Sequence, residues 1–590
     1  MLEKARTILQ NHYGYDSFRK GQEEVIERIL QREHAMGIMP TGGGKSICYQ
    51  IPALMFPGIT IVISPLISLM KDQVDELNEV GIPATYINSA LEFDEVQQRL
   101  RAIRNGDIKL VYIAPERFES QMFMRALNHL SVSLVAIDEA HCLSQWGHDF
   151  RPSYLTIPHF IEQLSSPPVV LALTATATPQ VTEDVCSSLN IPRENHIQTG
   201  FARENLSFHV LKGQDKEAYL LDYIEKNKDQ SGIIYATTRK EVERLYEKLD
   251  EKGISVGKYH GGLTSIERAA AQEDFVYDKT PIMVATTAFG MGINKSNVRY
   301  VIHYQIPRNI ETYYQEAGRA GRDGEKSECI LLYSTQDIHI QHFLIEQSEM
   351  EEERKQKEYQ KLQQMVNYCH TEECLQSYIL SYFGDSDEHD CQRCTNCTDE
   401  RETEDVTKDA QMVFSCIKRM KEQYGKTLVA QVLSGSSNQK IRVKRLDQLS
   451  TYGLMRTRTV NDISQLIDYF IAEQYIKASE GTYPVLTLQE KALPVLKGET
   501  TIRKKRAKKA KQIATYHPLF EALRTLRKKL ADEAEVAPYM VFSDKTLNDL
   551  CTYLPETKSE MLTIKGIGQH KFDAYGEPFL QRIRQFKDGA

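Results

Sequence analysis

The 590-residue sequence has no apolar run approaching the roughly 20 residues that a membrane span needs. Its first residues, Met1-Leu-Glu-Lys-Ala-Arg6, lack the apolar core of a signal peptide, so an intracellular, cytoplasmic chain is expected. Tryptophan is nearly absent, with Trp146 standing alone. The eleven cysteines are an odd number, and most are scattered singly. In a reducing compartment that excludes a disulfide framework, while five cysteines crowded into 369–397 point to a metal. Positive charge does not predominate either: 73 Lys and Arg stand against 81 Asp and Glu, a net of −8.

The distribution of that charge says more than its sum. Residues 406–511 carry 21 Lys and Arg against 9 Asp and Glu, a net of +12, while 512–590 are neutral with 11 of each. Residues 1–405 therefore carry −20. One basic block inside an acidic chain is a footprint for a polyanion. Length predicts about three to five domains.

What is present begins with Met39-Pro-Thr41-Gly42-Gly43-Gly44-Lys45-Ser46. An apolar run, Ala35 to Met39, reads as a buried strand before it, and Ile47 to Leu54 reads as a helix after it. Strand, glycine loop and helix start make a phosphate cradle, because glycines free backbone N–H groups and the helix N-terminus adds a positive dipole. Lys45 would reach the β- and γ-phosphates, and the Ser46 hydroxyl would hold Mg²⁺. The strict pattern has glycine where this chain has Met39, and a glycine-rich surface turn is the alternative. Upstream, Tyr15-Asp-Ser-Phe-Arg19-Lys-Gly-Gln22 offers an amide able to pair with adenine, or simply a capped helix start.

Short apolar runs at Ile59–Ile63, Leu110–Ile113, Leu134–Ile137 and Val169–Leu173 predict a parallel sheet covered on both faces. Ligands bind such sheets at the carboxyl ends of the strands. There lie Ser64-Pro-Leu66, Asp138-Glu-Ala-His141 and Leu173-Thr-Ala-Thr-Ala177. Asp138 would hold Mg²⁺ through water, leaving Glu139 to orient and deprotonate the attacking water. The following loop, with Trp146, Phe150 and Arg151, has the aromatics and arginine that stack single-stranded bases, although they would equally pack the loop down.

Runs at Gly232–Tyr235, Pro281–Ala285, Tyr300–Tyr304 and Cys329–Tyr333 predict a second sheet without a second phosphate loop. Arg319 and Arg322, three apart, would share a helix face and act as arginine fingers if this domain closes on the nucleotide. Further on, Glu349–Lys355 reads as a solvated helical face. Cys391-x₂-Cys394-x₂-Cys397, with Cys374 or Cys369, suits tetrahedral Zn²⁺ held by four thiolates. Helical patterns at Val406–Gln423, Leu428–Leu433 and Val460–Gln474 precede two short strands around Glu480-Gly481. Arg503–Lys511 reads as a flexible basic linker.

The ordered motifs from Gln22 through Thr41–Ser46, Asp138–His141, Thr174–Thr176, Ala285–Gly292 and Gln315–Arg322 resemble those of superfamily-two helicases. Phe18-Arg19 with Gln22, the loop around Trp146, and Gln315–Gly324 resemble the RecQ family of DNA helicases in particular, which departs from the strict glycine at Met39. The resemblance implies a multidomain α/β architecture: RecA-like domains at 1–200 and 201–340, a helical zinc domain at 341–405, a winged helix at 406–500, a basic linker at 501–514 and a small all-helical HRDC-like domain at 515–590. It also implies adenine on Tyr15, Arg19 and Gln22, γ-phosphate on Arg319 and Arg322 with Arg322 as the finger, and Cys374 as the distant zinc ligand. The family typically has two arginines after that cysteine, whereas Leu375-Gln376 follow here.

In the last domain, Ile564-Lys-Gly-Ile-Gly-Gln-His-Lys571 is a turn that either offers N–H groups to a phosphate or packs a helix. The expected protein is an ATP-, Mg²⁺- and Zn²⁺-dependent helicase that unwinds duplex DNA 3′→5′ in repair and recombination. Its expected partners are single- and double-stranded DNA and single-strand DNA-binding protein, with no membrane and a monomeric state. An RNA helicase, a translocase without strand separation, and a binding protein with a dead nucleotide site are the alternatives.

Overall fold

The computed structural model describes residues 1–588 apart from 66, 89–90, 128–129, 148, 214, 291–294, 386–389, 480–483, 506–517, 535 and 565. Leu66, His148, Met291-Gly292, the Glu480-Gly481 turn, the basic run beyond 505 and Lys565 thus lie outside the described residues.

The first sheet has seven strands: β1 (Ala35–Ile38), β2 (Ile59–Ile63), β3 (Ala84–Ile87), β4 (Leu110–Ile113), β5 (Val132–Ile137), β6 (Val169–Thr174) and β7 (His196–Gln198). They run in the order β3-β4-β2-β5-β6-β1-β7, every pair parallel. The second sheet comprises β8 (Leu206–Lys212), β9 (Ser231–Tyr235), β10 (Val256–Tyr259), β11 (Ile282–Ala285), β12 (Val298–His303) and β13 (Ser327–Tyr333). Its order is β10-β11-β9-β12-β13-β8, again all parallel. The central strands β2, β5 and β6 are buried at every position. Each fully buried Val, Leu or Ile side chain contributes about 1.5–3 kcal/mol, which is why the continuous apolar runs became the sheet centres.

The strands that the apolar runs did not announce are mostly peripheral. β3, β7, β8 and β10 are the outermost strands of the two sheets. β10, Val-Gly-Lys-Tyr, is only half-buried throughout, so it needs no apolar run.

The edge of β8 is covered by the cysteine-rich segment. Thr395 N–H donates to the Phe208 carbonyl at 3.0 Å, and Val210 N–H donates to the Thr395 hydroxyl at 3.0 Å. Arg393 adds a bond to the Leu206 carbonyl at 2.9 Å. An exposed strand edge is thereby closed by a loop instead of another strand.

Beyond this segment, helices Thr407–Arg419, Lys426–Ser434 and Val460–Ala472 enclose one core with the two-stranded β15 (Ile476–Ala478) and β16 (Leu486–Leu488), introduced after β14 (Thr403–Asp405). Part of the stretch expected to be a basic linker is strand instead. Ile502 is buried, and Arg503–Lys505 form β17, antiparallel to β14. Burial of Ile502 and the β14 pairing hold these residues on the winged-helix body. The last body is all helical about its own core, from Pro518–Ala534 to Glu577–Asp588.

Candidate active site

β1 delivers the chain into the glycine loop, and the helix Ile47–Met55 starts directly after Ser46. Met39 is buried, with the Cys48 thiol against its sulfur, so this position belongs to the core beneath the loop. Gly42 and Gly44 adopt φ of 81° and 78°, a region that side chains other than glycine rarely take. Two of the three adenine candidates, Arg19 and Gln22, clamp this loop. Gln22 donates to the carbonyls of Gly43 and Gly44 at 3.1 and 2.9 Å while accepting from Arg19 N–H at 2.8 Å, and Arg19 donates to the Gly42 carbonyl. Tyr15, the third candidate, is 36% exposed.

Asp138 and Glu139 follow β5 directly. Asp138 accepts from Glu139 N–H at 3.0 Å. Glu139 has a left-handed φ of 49°, a strained conformation that persists only where the surroundings enforce it. Its side chain reaches His141, whose Nδ1 lies 3.3 Å from Glu139 Oε2 and 2.8 Å from the Thr174 hydroxyl at the end of β6. Burial pushes Asp138 up to about 6, with Glu139 adding to the shift and Lys45 opposing it. Burial lowers Lys45, against the pull of Glu139 and Asp138. Lysine, serine hydroxyl and carboxylates thus share one half-buried locus, a donor set suited to a Mg²⁺–triphosphate. Ser46 donates to Gln73 at 3.1 Å, and Gln73 passes the bond to Glu76 at 3.1 Å.

The arginine motif departs from expectation in form. The helix Ile310–Ala317 ends before Arg319, and Gly321 and Gly324, at φ of 57° and 89°, turn the chain, so the arginines do not share a helix face. They still converge: burial pushes Arg322 down to about 9, and Arg319 and Arg203 add to the shift. This motif touches the glycine loop across the cleft. A Cβ placed on Gly42 would lie 3.3 Å from the Arg322 Cα, and one on Gly318 would lie 3.2 Å from Thr41 Cβ. Arg203, which carried no sequence signal, spans the two by donating to the carbonyls of Thr41, Ala320 and Gly321.

The loop after the acids is tied to them, since the Tyr154 hydroxyl donates to the Asp138 carbonyl at 2.9 Å. Trp146 is 40% exposed, with Lys357 Nζ 3.6 Å from its ring centre. Arg354 lies over Phe150 at 5.4 Å, so the stretch expected to be a solvated face contributes a cation to an aromatic ring. Arg151 points inward, ion-paired with Asp149 at 3.0 Å and donating to the Pro65 carbonyl at 2.8 Å.

The sulfurs of Cys374, Cys391, Cys394 and Cys397 all lie within 4.8 Å of one another. A tetrahedron with Zn–S of about 2.3 Å has S···S edges of about 3.8 Å, so the four thiols fit Zn²⁺. Cys369 is buried in the helix Glu352–His370 and is not part of this group.

Five family descriptions match the chain in sequence: DEAD/DEAH box helicase at 19–185, helicase conserved C-terminal domain at 215–324, RecQ zinc-binding at 335–398, RQC domain at 400–512 and HRDC domain at 517–583. The chain is 53% identical to the ATP-dependent DNA helicase RecQ of Bacillus subtilis (strain 168), over 99% of both chains. It is 42% identical to the protein of that name in Pasteurella multocida (strain Pm70), covering 100% of this chain and 94% of that one. The Haemophilus influenzae (strain ATCC 51907 / DSM 11121 / KW20 / Rd) protein is 40% identical, with 100% and 97% covered. Phosphate loop, paired acids, arginine motif and four-cysteine cluster therefore occur in the order and company that define one family, and this chain belongs to the RecQ family of ATP-dependent DNA helicases.

Proposed function

We propose that this ATP-dependent DNA helicase hydrolyses ATP in the cleft between its two parallel-sheet domains and moves 3′→5′ along one strand of a duplex. The observation that carries the reading is the meeting of Gly42 and Arg322 across that cleft. In this reading Lys45 and the loop N–H groups hold the phosphates, and Ser46 and Asp138 hold Mg²⁺. When bound, the metal neutralises the β- and γ-oxygens. Glu139 deprotonates the attacking water, positioned by its contact with His141. Arg322, with Arg319 beside it, meets the charge that develops on the γ-phosphate. Tyr15, Arg19 and Gln22 select adenine.

Trp146 and Phe150 stack bases of the tracking strand, and Tyr154 reports that contact to Asp138. Arg151 braces this loop against Pro65. The basic winged-helix body grips the duplex through its phosphates. The four thiolates hold zinc in a closed structural site. We place the protein in the cytoplasm with the nucleoid, as a monomer that works in repair and recombination beside single-strand DNA-binding protein.

ATP turnover with and without single-stranded DNA, alongside strand displacement on a 3′-tailed duplex, tests the reading. Stimulation with displacement supports it. Stimulation without displacement makes the chain a translocase, and stimulation by RNA alone overturns the DNA assignment.

A further inference from the structure

The C-terminal helical body carries no net charge, and its glycine turn is occupied. Gly566 has a φ of 89°, and the turn brings Gly568 onto Gly14, which ends the first helix beside Tyr15. A Cβ on Gly14 would come within 2.9 Å of Gly568 N, an approach of backbone on backbone that any side chain at Gly14 would break. The turn is thus packed against the residue that precedes Tyr15.

The same body reaches the arginine motif from the opposite side. Arg527 is fully buried, 2.8 Å from Asp544 and donating to the Phe542 carbonyl at 2.8 Å. A buried guanidinium requires a partner, since an unpaired buried charge is strongly destabilising. Asp544 does not serve Arg527 alone: its second oxygen lies 3.7 Å from Nε of Arg299, on β12. The other end of that guanidinium is ion-paired with Asp323, the residue next to Arg322. Lys528, one residue on from Arg527, donates to the Asp278 carbonyl of the second domain at 3.1 Å.

We propose that Asp544 is a positioning residue for ATP hydrolysis: held by Arg527, it fixes Arg299 against Asp323 and so sets the backbone from which Arg322 enters the cleft. The C-terminal body is then a brace on both rims of the nucleotide cleft, at Gly14 and at Arg299, and its neutrality follows, because its surface is matched to protein and not to DNA. The proposal rests on Arg322 being the residue that meets the γ-phosphate. A displacement of catalytic groups by about 1 Å can cost up to 10²-fold in rate, so a brace of this kind acts on the chemical step.

The test uses full-length protein in three variants, with single-turnover ATP hydrolysis and fluorescent-ATP affinity measured in the presence of single-stranded DNA. Asp544→Asn keeps the shape beside Arg527 and removes the charge; Gly568→Leu separates the body from Gly14 without touching Asp544. Both are expected to slow the single-turnover step about five- to tenfold while affinity for ATP changes less than about twofold, and Asp544→Glu is expected to recover most of the rate. Wild-type single-turnover rates in both Asp544→Asn and Gly568→Leu overturn the proposal, as does a loss confined to ATP affinity. Arg322→Ala, run in parallel, separates the two levels. If it hydrolyses ATP at the wild-type rate, the finger assignment fails. If it is inactive while Asp544→Asn and Gly568→Leu are both normal, only the brace fails.

Discussion

Arg203 donates through one guanidinium nitrogen to the Thr41 carbonyl of the phosphate loop and through another to the Gly321 carbonyl, 2.8 Å away, in the arginine motif. One side chain thus spans the cleft. Charge-assisted hydrogen bonds contribute about 1.5–3 kcal/mol, so Arg203→Ala is expected to lower kcat/KM for ATP by roughly 10- to 100-fold. Steady-state kinetics at saturating DNA check this, and an unchanged kcat/KM would show that the two domains close without it.

Glu139→Gln keeps the size of the side chain and removes the base. Hydrolysis is expected to fall about 10²- to 10⁴-fold while fluorescent ATP still binds. Turnover within a few-fold of wild type would assign the base elsewhere.

Trp146 has one face against Lys357 and 40% of its surface open. Base stacking on an aromatic ring is worth about 1–3 kcal/mol, so Trp146→Ala is expected to weaken single-strand binding roughly 5- to 150-fold. The DNA-free ATPase should stay within about twofold of wild type. Fluorescence anisotropy with a labelled oligonucleotide measures the loss, and equal affinity would move the stacking site away from this loop.

Asp72 lies on the helix Ile67–Glu79, and burial, with Asp75 next to it, pushes its carboxyl up to about 7 from 3.8. Between these values the folded chain binds a proton that the unfolded chain does not. Stability from this group therefore falls as pH rises through the window, and the loss is complete above about 7. Asp72→Asn removes that cost, so it is expected to raise Tm more at pH 8 than at pH 5. Thermal melts at the two values decide it, and equal shifts would show that Asp72 titrates normally.

Zinc removal is expected to unfold the cysteine segment and expose the β8 edge that it covers. Cys391→Ser should lower Tm and bind less than one zinc per chain by atomic absorption. A variant with full zinc content and unchanged Tm would dissociate the cluster from the metal.

The chemistry was legible wherever it is local in sequence. The phosphate loop, the paired acids and the Cys-x₂-Cys steps are each fixed by backbone spacing over a few residues, and all were visible before any fold. Arg203, Gln73 and Tyr154 were not, because each acts on a group brought to it only by tertiary structure: Arg203 lies 162 residues from Thr41. The arginine pair was found for its residues and misread for its geometry, since three glycines within seven residues prevent the helix assumed for it. β10 escaped notice because a half-buried edge strand tolerates glycine and lysine. The linker was read from charge alone, which carries no information about the pairing of β14 with β17.

The closure of β8 by Thr395 also sets an order of events during synthesis. The two partners are 187 residues apart, from Thr395 to Phe208. At roughly 5–20 residues per second, the ribosome needs on the order of 10–40 s to supply the second after the first. Throughout that interval the outer edge of β8 has no cover within the chain, and cover arrives only with the segment that gathers the metal. The stretch that carries three of the four clustered cysteines, Cys391 to Cys397, is therefore also the one that completes the edge of the second sheet.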